Sequence, residues 1–237
     1  MRRRFFVDAF EAARAVLTGE AAHHLGRVLR AEPGQLYELS DGTSVRLGKI
    51  EFSSRDRVDF SLLESIPVRI SSLQKTLLLA IVKFDAFEWA IEKATELGVD
   101  RIVPLAAARS EKGLLAAAGK RAERWKRIAF EASQQSRRLR LPEIAGVASP
   151  KTAFRSVGDG LRLVLSERTE TPLRRVLEGQ RPDHVVVAIG PEGGWTEGEF
   201  SEAHDAGFAE ASLGSLILRT ETAVTACLAA VNYALDV

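Results

Sequence analysis

Two short stretches carry residue types that could do chemistry. IGPEGGWTEGEF (189–200) places Gly190, Pro191, Glu192, Gly193 and Gly194 directly after a run of aliphatics. LGSLILRTETA (213–223) places Leu213, Gly214, Leu216, Ile217 and Leu218 just ahead of Arg219, Thr220 and Glu221. Neither stretch is a nucleotide phosphate loop: no Lys-Ser or Lys-Thr follows the glycines, and the spacing is not G-x-G-x-x-G. Glu192 would also repel a phosphate. A loop of small residues that presents backbone groups could hold a phosphate-free cofactor, such as one with an adenosine and a sulfonium. A tight strand-to-helix turn is the alternative, because glycine simply permits positive φ. Thr220 could cap a helix, and Glu221 lies favourably near the positive end of that helix's dipole.

The elements that must position these residues are legible from periodicity. HVVVAIG (184–190) is a β-branched run with no polar alternation, as in the centre of a parallel sheet. From residue 73 onward strands and helices alternate. KTLLLAIV (75–82), DRIVPL (100–105) and LRLVLS (161–166) read as strands. DAFE (85–88) reads as a capping box that opens a helix with Phe87, Ala90, Ile91, Ala94 and Leu97 on one face and Gly98 at its end. Further helices are expected over about 119–138, after Ser149-Pro150, over 172–179, after Thr196 with its partner Glu199, and from Thr220 to Leu235. ASLG (211–214) and LIL (216–218) read as short extended pieces. Such alternation predicts an α/β sheet with helices on both faces, whose ligands bind outside the carboxyl ends of the strands.

Residues 1–70 read differently. RFFV (4–7), QLYELS (35–40), TSVRLGKIE (43–51) and RVDFSLLE (57–64) are short strands, with Asp41-Gly42 as a hairpin turn. One helix interrupts them, Gly19 to Arg30, with Leu25, Val28 and Leu29 on one face. This pattern predicts a small barrel, followed by SIPVRISS (65–72) as a linker.

The chain of 237 residues has a formal net charge of +1, a single cysteine at 227 and four histidines in no metal-like spacing. No apolar run approaches a membrane span, and MRRRFFVDAF lacks the apolar core of a signal peptide. A cytoplasmic protein with no metal and no membrane association is expected. Charge is uneven. Between Lys120 and Arg140 there are eight Lys or Arg against two Glu, whereas from Gly190 onward eight Asp or Glu face Arg219 alone. The basic stretch is either a polyanion contact or a solvated helix face.

GPEGGWTEGEF followed by LGSLILRTETA resembles the paired C-terminal signature of the SPOUT (trefoil-knot) RNA methyltransferases. More closely, the chain resembles the bacterial family that methylates N3 of a uridine in the decoding region of 16S ribosomal RNA. HHLGRVLR (23–30), DG (41–42), EKATELGVDRIVPL (92–105), RS (109–110) and EASQQSRRLRLPEI (131–144) agree, so the similarity covers nearly the whole chain. It implies a PUA-like β-barrel over 1–70 that helps hold RNA, and a SPOUT α/β domain over 73–237 with a deep trefoil knot. It also implies S-adenosylmethionine as cofactor, a homodimer with the active site at the subunit interface, and 16S rRNA within the 30S subunit as substrate.

Carried onto this sequence, the resemblance gives the cofactor pocket three walls: Leu165 and Ser166; Gly190 to Gly194; and Leu213, Gly214 and Leu216 to Thr220. Gln135 and Arg138 fall on the family's Q-x-x-R, with Gln134 where a Glu is common. Trp195 stands where Phe or Leu is usual. Uridine N3 is a poor nucleophile while protonated, so the site must favour its anion. Arg219 and Arg138 are the candidates to stabilise that charge, and Glu221 is a candidate proton acceptor that also fits a capping role. Arg4, His24, Arg27, Arg30, Gln135, Arg137 and Arg140 are the candidates for RNA contact. The alternatives are a knotted methyltransferase acting on ribose 2′-O or guanine N1, or an RNA-binding module without activity.

Overall fold

The computed structural model describes residues 3–236, with the side chain of Val28 outside the description. The chain forms two compact units, 1–70 with 133–141, and 71–132 with 142–237. The segment 133–141, expected within the second domain, therefore packs with the first.

In the first unit, β1 (Arg4–Phe6), β2 (Arg14–Thr18), β3 (Leu36–Ser40), β4 (Val45–Ser53) and β5 (Arg57–Ser65) form one curled sheet in the order β1-β3-β4-β5-β2. Only the β1–β3 pair is parallel. Alternate residues point inward, so Phe5, Leu17, Leu39, Ile50, Val58 and Phe60 meet in a core. Asp41 makes the expected turn between β3 and β4, its carboxylate accepting from the amides of Thr43 and Ser44. The expected helix from Gly19 to Arg30 is shorter and irregular. It is α1 (Gly19–His23) followed by a π-helical turn, His24–Val28. That turn lies so close to Ser54 that a Cβ on Gly26 would stand 2.7 Å from the Ser54 carbonyl.

The second unit carries β6 (Gln74–Ala80), α2 (Phe84–Glu96), β7 (Arg101–Leu105), α3 (Lys112–Ala118), α4 (Ala122–Gln135, whose last residues belong to the first unit), β8 (Glu143–Ile144), α5 (Pro150–Ser156), β9 (Leu161–Leu165), α6 (Leu173–Leu177), β10 (His184–Ile189), α7 (Glu197–Asp205), β11 (Ala209–Ala211) and α8 (Thr220–Leu235). Its six strands are all parallel, in the order β11-β9-β10-β6-β7-β8. Sequence order runs one way from β6 and the other way from β10, so the switch point lies between these two strands. Period-two alternation divides β10: Val185, Val187 and Ile189 join the core with α2 and α8, while Val186 and Ala188 join the core with α5 and α7. On α8, Val224, Cys227, Leu228, Val231 and Leu235 form the buried stripe at helical spacing. Its end is held by buried Lys75, whose Nζ donates to Asn232 and Asp236 at 2.8 and 2.9 Å.

Three local expectations fail. Asp85 does not open α2 with a capping box, because Lys83 occupies the cap position and Glu88 instead pairs with Arg121 and Arg124 at 3.3 and 2.8 Å. Thr220 is not a cap either: Arg219 holds that position and the Thr220 hydroxyl is used elsewhere. The helix expected over about 119–138 begins as a 3₁₀ turn at Gly119–Arg121, continues as α4 and ends at Gln135. The second capping box does form, with Thr196 and Glu199 each bonding the other's backbone amide.

Candidate active site

The carboxyl ends of β9, β10 and β11 open onto one cavity. Leu165, Ser166, Gly190, Pro191, Glu192, Gly193, Gly194, Leu213, Gly214, Leu216, Ile217, Leu218 and Thr220 all line it. Of the residues assigned to the three walls, only Arg219 lies off this cavity.

The loop after β10 is fixed from three sides. Trp195 is buried and its indole N–H donates to the Leu165 carbonyl at 3.2 Å, tying the loop to the end of β9. Gly190 lies against that ring, where a Cβ would stand 3.0 Å from it. Thr220 donates its hydroxyl to the Gly190 carbonyl at 3.2 Å, tying the loop to the start of α8. From the loop after β7, Arg109 donates to the Gly193 carbonyl at 2.6 Å. Glu199, besides its capping bonds, accepts from the Ala108 amide at 2.8 Å, so α7 and the β7 loop are joined as well. Residue 212 runs beside the segment after β9: the Ser212 amide donates to the Thr171 carbonyl, and the Leu173 amide donates to the Ser212 carbonyl, both at 2.8 Å.

The lining has a definite chemistry. Its charged members are Glu167 and Glu192, and no lysine or arginine is among them. A cation is favoured there and a phosphate disfavoured. Leu216 and Ile217 expose 79% and 84% of their surface at the mouth. Gly194 has φ +70 and Gly214 φ +130, both in the region that favours glycine. Residues of this kind fit a flat aromatic group against aliphatics, with backbone groups supplying the polar contacts.

A second cleft opens on the other side of Glu192, between that loop and the start of α2. Lys83, Asp85, Trp89, Arg219 and Glu221 line it with Glu192. Glu221 sits in the first turn of α8, and its Oε2 is buried with no hydrogen-bond partner.

The remaining candidates lie in the first unit. Arg4 is 5% exposed; its guanidinium donates to Glu38 at 2.9 Å and to the Arg137 carbonyl at 2.6 Å. It is an internal ion pair rather than a surface contact, because burial denies phosphates access to it. Arg137 turns its side chain to Glu38 at 3.6 Å. Arg138 donates to the Arg140 carbonyl, and Arg140 to the Gly42 carbonyl. Gln135 is exposed and His24 half-buried. Arg27 and Arg30 line one depression together with Arg55. Sequence reasoning missed Arg55, Arg109 and Trp89 as site residues. The RS pair at 109–110 is the one signal that pointed towards Arg109.

No helix of the described residues is long and apolar enough to cross a membrane, and no cluster of metal-ligating side chains occurs among them.

Residues 69–232 match the model of an RNA methyltransferase domain, and 17–63 that of an RNA methyltransferase PUA domain. The ribosomal RNA small subunit methyltransferase E of Synechocystis is 34% identical over 94% of this chain and 74% of its own length. The Bacillus subtilis protein of the same name is 31% identical over 98% of this chain and 96% of its own. A crystal structure of the Neisseria gonorrhoeae protein of that name, bound to S-adenosyl methionine, superposes with a TM-score of 0.89 at 29% identity, covering 99% of this chain and 98% of that one. The PUA-like sheet and SPOUT α/β unit implied by the motifs are thus those of its relatives, and the chain belongs to the RNA methyltransferase family, among the small-subunit ribosomal RNA methyltransferases E.

Proposed function

We propose that this protein transfers a methyl group from S-adenosylmethionine to N3 of a uridine in 16S ribosomal RNA. The observation that carries the reading is the first cavity. Its glycine loop, exposed aliphatics and two carboxylates suit an adenosine joined to a sulfonium and oppose a phosphate. Glu167 and Glu192 favour the positive sulfur. Leu216 and Ile217 cover the adenine, and backbone groups of 190–194 and 213–220 supply its hydrogen bonds. Residues 212–219 run between the segment after β9 and the loop after β10, and we assign the trefoil crossing to that passage.

When bound, the cofactor supplies an electrophilic methyl group. The chain's task is to present N3 in line with it and to favour the N3 anion. Arg219, which lines the second cleft beside Glu192, stabilises the negative charge developing on the uracil. Arg27 and Arg30, joined by Arg55, contact the RNA backbone; His24, Gln135, Arg137 and Arg140 complete the proposed RNA surface. The enzyme acts in the cytoplasm as a homodimer on the assembled 30S particle.

The test is transfer from labelled S-adenosylmethionine to 30S subunits lacking the modification, followed by mass spectrometry of the nucleosides. The expected product is 3-methyluridine, lost in Arg219→Ala. A methyl group on ribose or on guanine would overturn the assignment of the atom, and absence of cofactor binding would overturn the enzyme reading.

A further inference from the structure

The second cleft shares Glu192 with the first cavity, the one proposed to hold the cofactor. We propose that it receives the target uracil, rotated out of the RNA, with Trp89 as the surface on which the base stacks and Glu221 as the acceptor of the N3 proton. The inference rests on the methyl-transfer reading above.

Trp125 and Trp195 are buried, whereas Trp89 leaves 42% of its surface exposed in the cleft. An exposed indole beside a polar cleft is the feature that binds an unstacked base, because every base offers a π face. Lys93 approaches the Trp89 ring at 5.8 Å, which leaves the ring room for a second partner. The cleft's charges suit a pyrimidine with two carbonyls and one N–H. Lys83 and Arg219 can donate to carbonyl oxygens, and Glu221 can accept from the N–H. The buried Glu221 Oε2 without a partner is costly in isolation and is satisfied once a donor enters. Asp85 and Glu192 are the other charged groups around it.

The N3 proton passes to Glu221. The electron pair left on N3 forms the bond to the methyl carbon as the carbon–sulfur bond breaks, its pair remaining on sulfur, which becomes a neutral thioether. Glu221 then releases its proton to solvent.

The experiment uses the full-length protein and 30S subunits that lack the modification. A carbodiimide that reacts with N3 of unpaired uridines reports whether the target base is sequestered. Wild type and Glu221→Gln should protect that uridine, and Trp89→Ala should leave it reactive. Turnover in Trp89→Ala should fall roughly ten- to a hundredfold through lost stacking, with Trp89→Phe retaining most of it. Glu221→Gln should lose about a hundredfold or more. It should regain much of this on subunits reconstituted with 5-fluorouridine rRNA, whose N3–H is more acidic. Calorimetry should give both variants wild-type affinity for S-adenosylmethionine. Protection by Trp89→Ala equal to wild type, or a Glu221→Gln defect that fluorouridine leaves unchanged, overturns the proposal. So does a Trp89→Ala protein that light scattering shows dissociated, since the cleft is then a contact between copies. Failure of the wild-type protein to form 3-methyluridine overturns the underlying reading instead.

Discussion

The hydroxyl of Thr220 reaches the carbonyl of Gly190 across 3.2 Å, joining the first residue of α8 to the residue that follows β10, 30 residues away in sequence. One bond therefore couples two of the loops that line the first cavity. Thr220→Val keeps the shape and leaves the carbonyl unpaired. The expected cost is about 1–3 kcal/mol, seen as a lower melting temperature and weaker cofactor binding in calorimetry.

Gly190→Ala should weaken cofactor binding by about tenfold or more, because its Cβ would meet the Trp195 ring at 3.0 Å and overpacking costs about 1–3 kcal/mol. Trp195→Phe should restore part of the loss in the double variant. Strictly additive effects would show that the clash is not with that ring.

Arg109→Ala removes the 2.6 Å bond to the Gly193 carbonyl from an exposed side chain. Cofactor dissociation constants should rise by about three- to tenfold, since an exposed charged donor contributes modestly. The melting temperature should stay within a degree or so of wild type, because little buried structure depends on it.

Arg4→Met should destabilise the protein by about 3–5 kcal/mol, because it leaves the Glu38 carboxylate buried without its closest guanidinium. The salt dependence of RNA binding should not move. Arg27→Ala and Arg55→Ala should do the reverse, each lowering the slope of log affinity against log salt by about 0.7–0.9 while stability is kept.

Burial pushes the Cys227 thiol up to about 12 from an ordinary value of 9.0. The folded state therefore holds its proton more tightly than the unfolded chain. Its contribution to stability is complete below pH 9 and declines as pH rises from 9 towards 12. At pH 8 the thiol should resist iodoacetamide until α8 unfolds, so labelling rates in a denaturant series should follow global unfolding.

Much of this molecule was legible in its sequence where local chemistry and tertiary demand agree. The β-branched run at 184–189 could only suit a strand buried on both faces, and Thr196 with Glu199 formed its box as spaced. Local rules failed where a distant partner outbid them. Glu88 serves Arg121 and Arg124 rather than the start of α2, and Thr220 serves Gly190 rather than its own helix. RAVLT (14–18), too short to advertise itself, became β2 once β5 offered a partner. Arg4 has the composition of a surface contact, and its burial depends on Glu38 and on a carbonyl 133 residues away. The cavity at the carboxyl ends of β9, β10 and β11 was readable because glycines and small residues mark its loops. Trp89 was not, because a tryptophan on a helix with an apolar stripe reads as core.

The first unit is assembled from 1–70 and from 133–141, which together carry the bonds from Ser40 to the Leu139 carbonyl, from Arg4 to the Arg137 carbonyl and from Arg140 to the Gly42 carbonyl. On a ribosome, then, the N-terminal sheet emerges well before the nine residues that complete it. It must wait, partly finished, while more than sixty residues of its neighbour are made. The sheet is thus not a detachable cassette, and a truncation after residue 70 would strand Arg4 and Ser40 without the carbonyls they were built to meet.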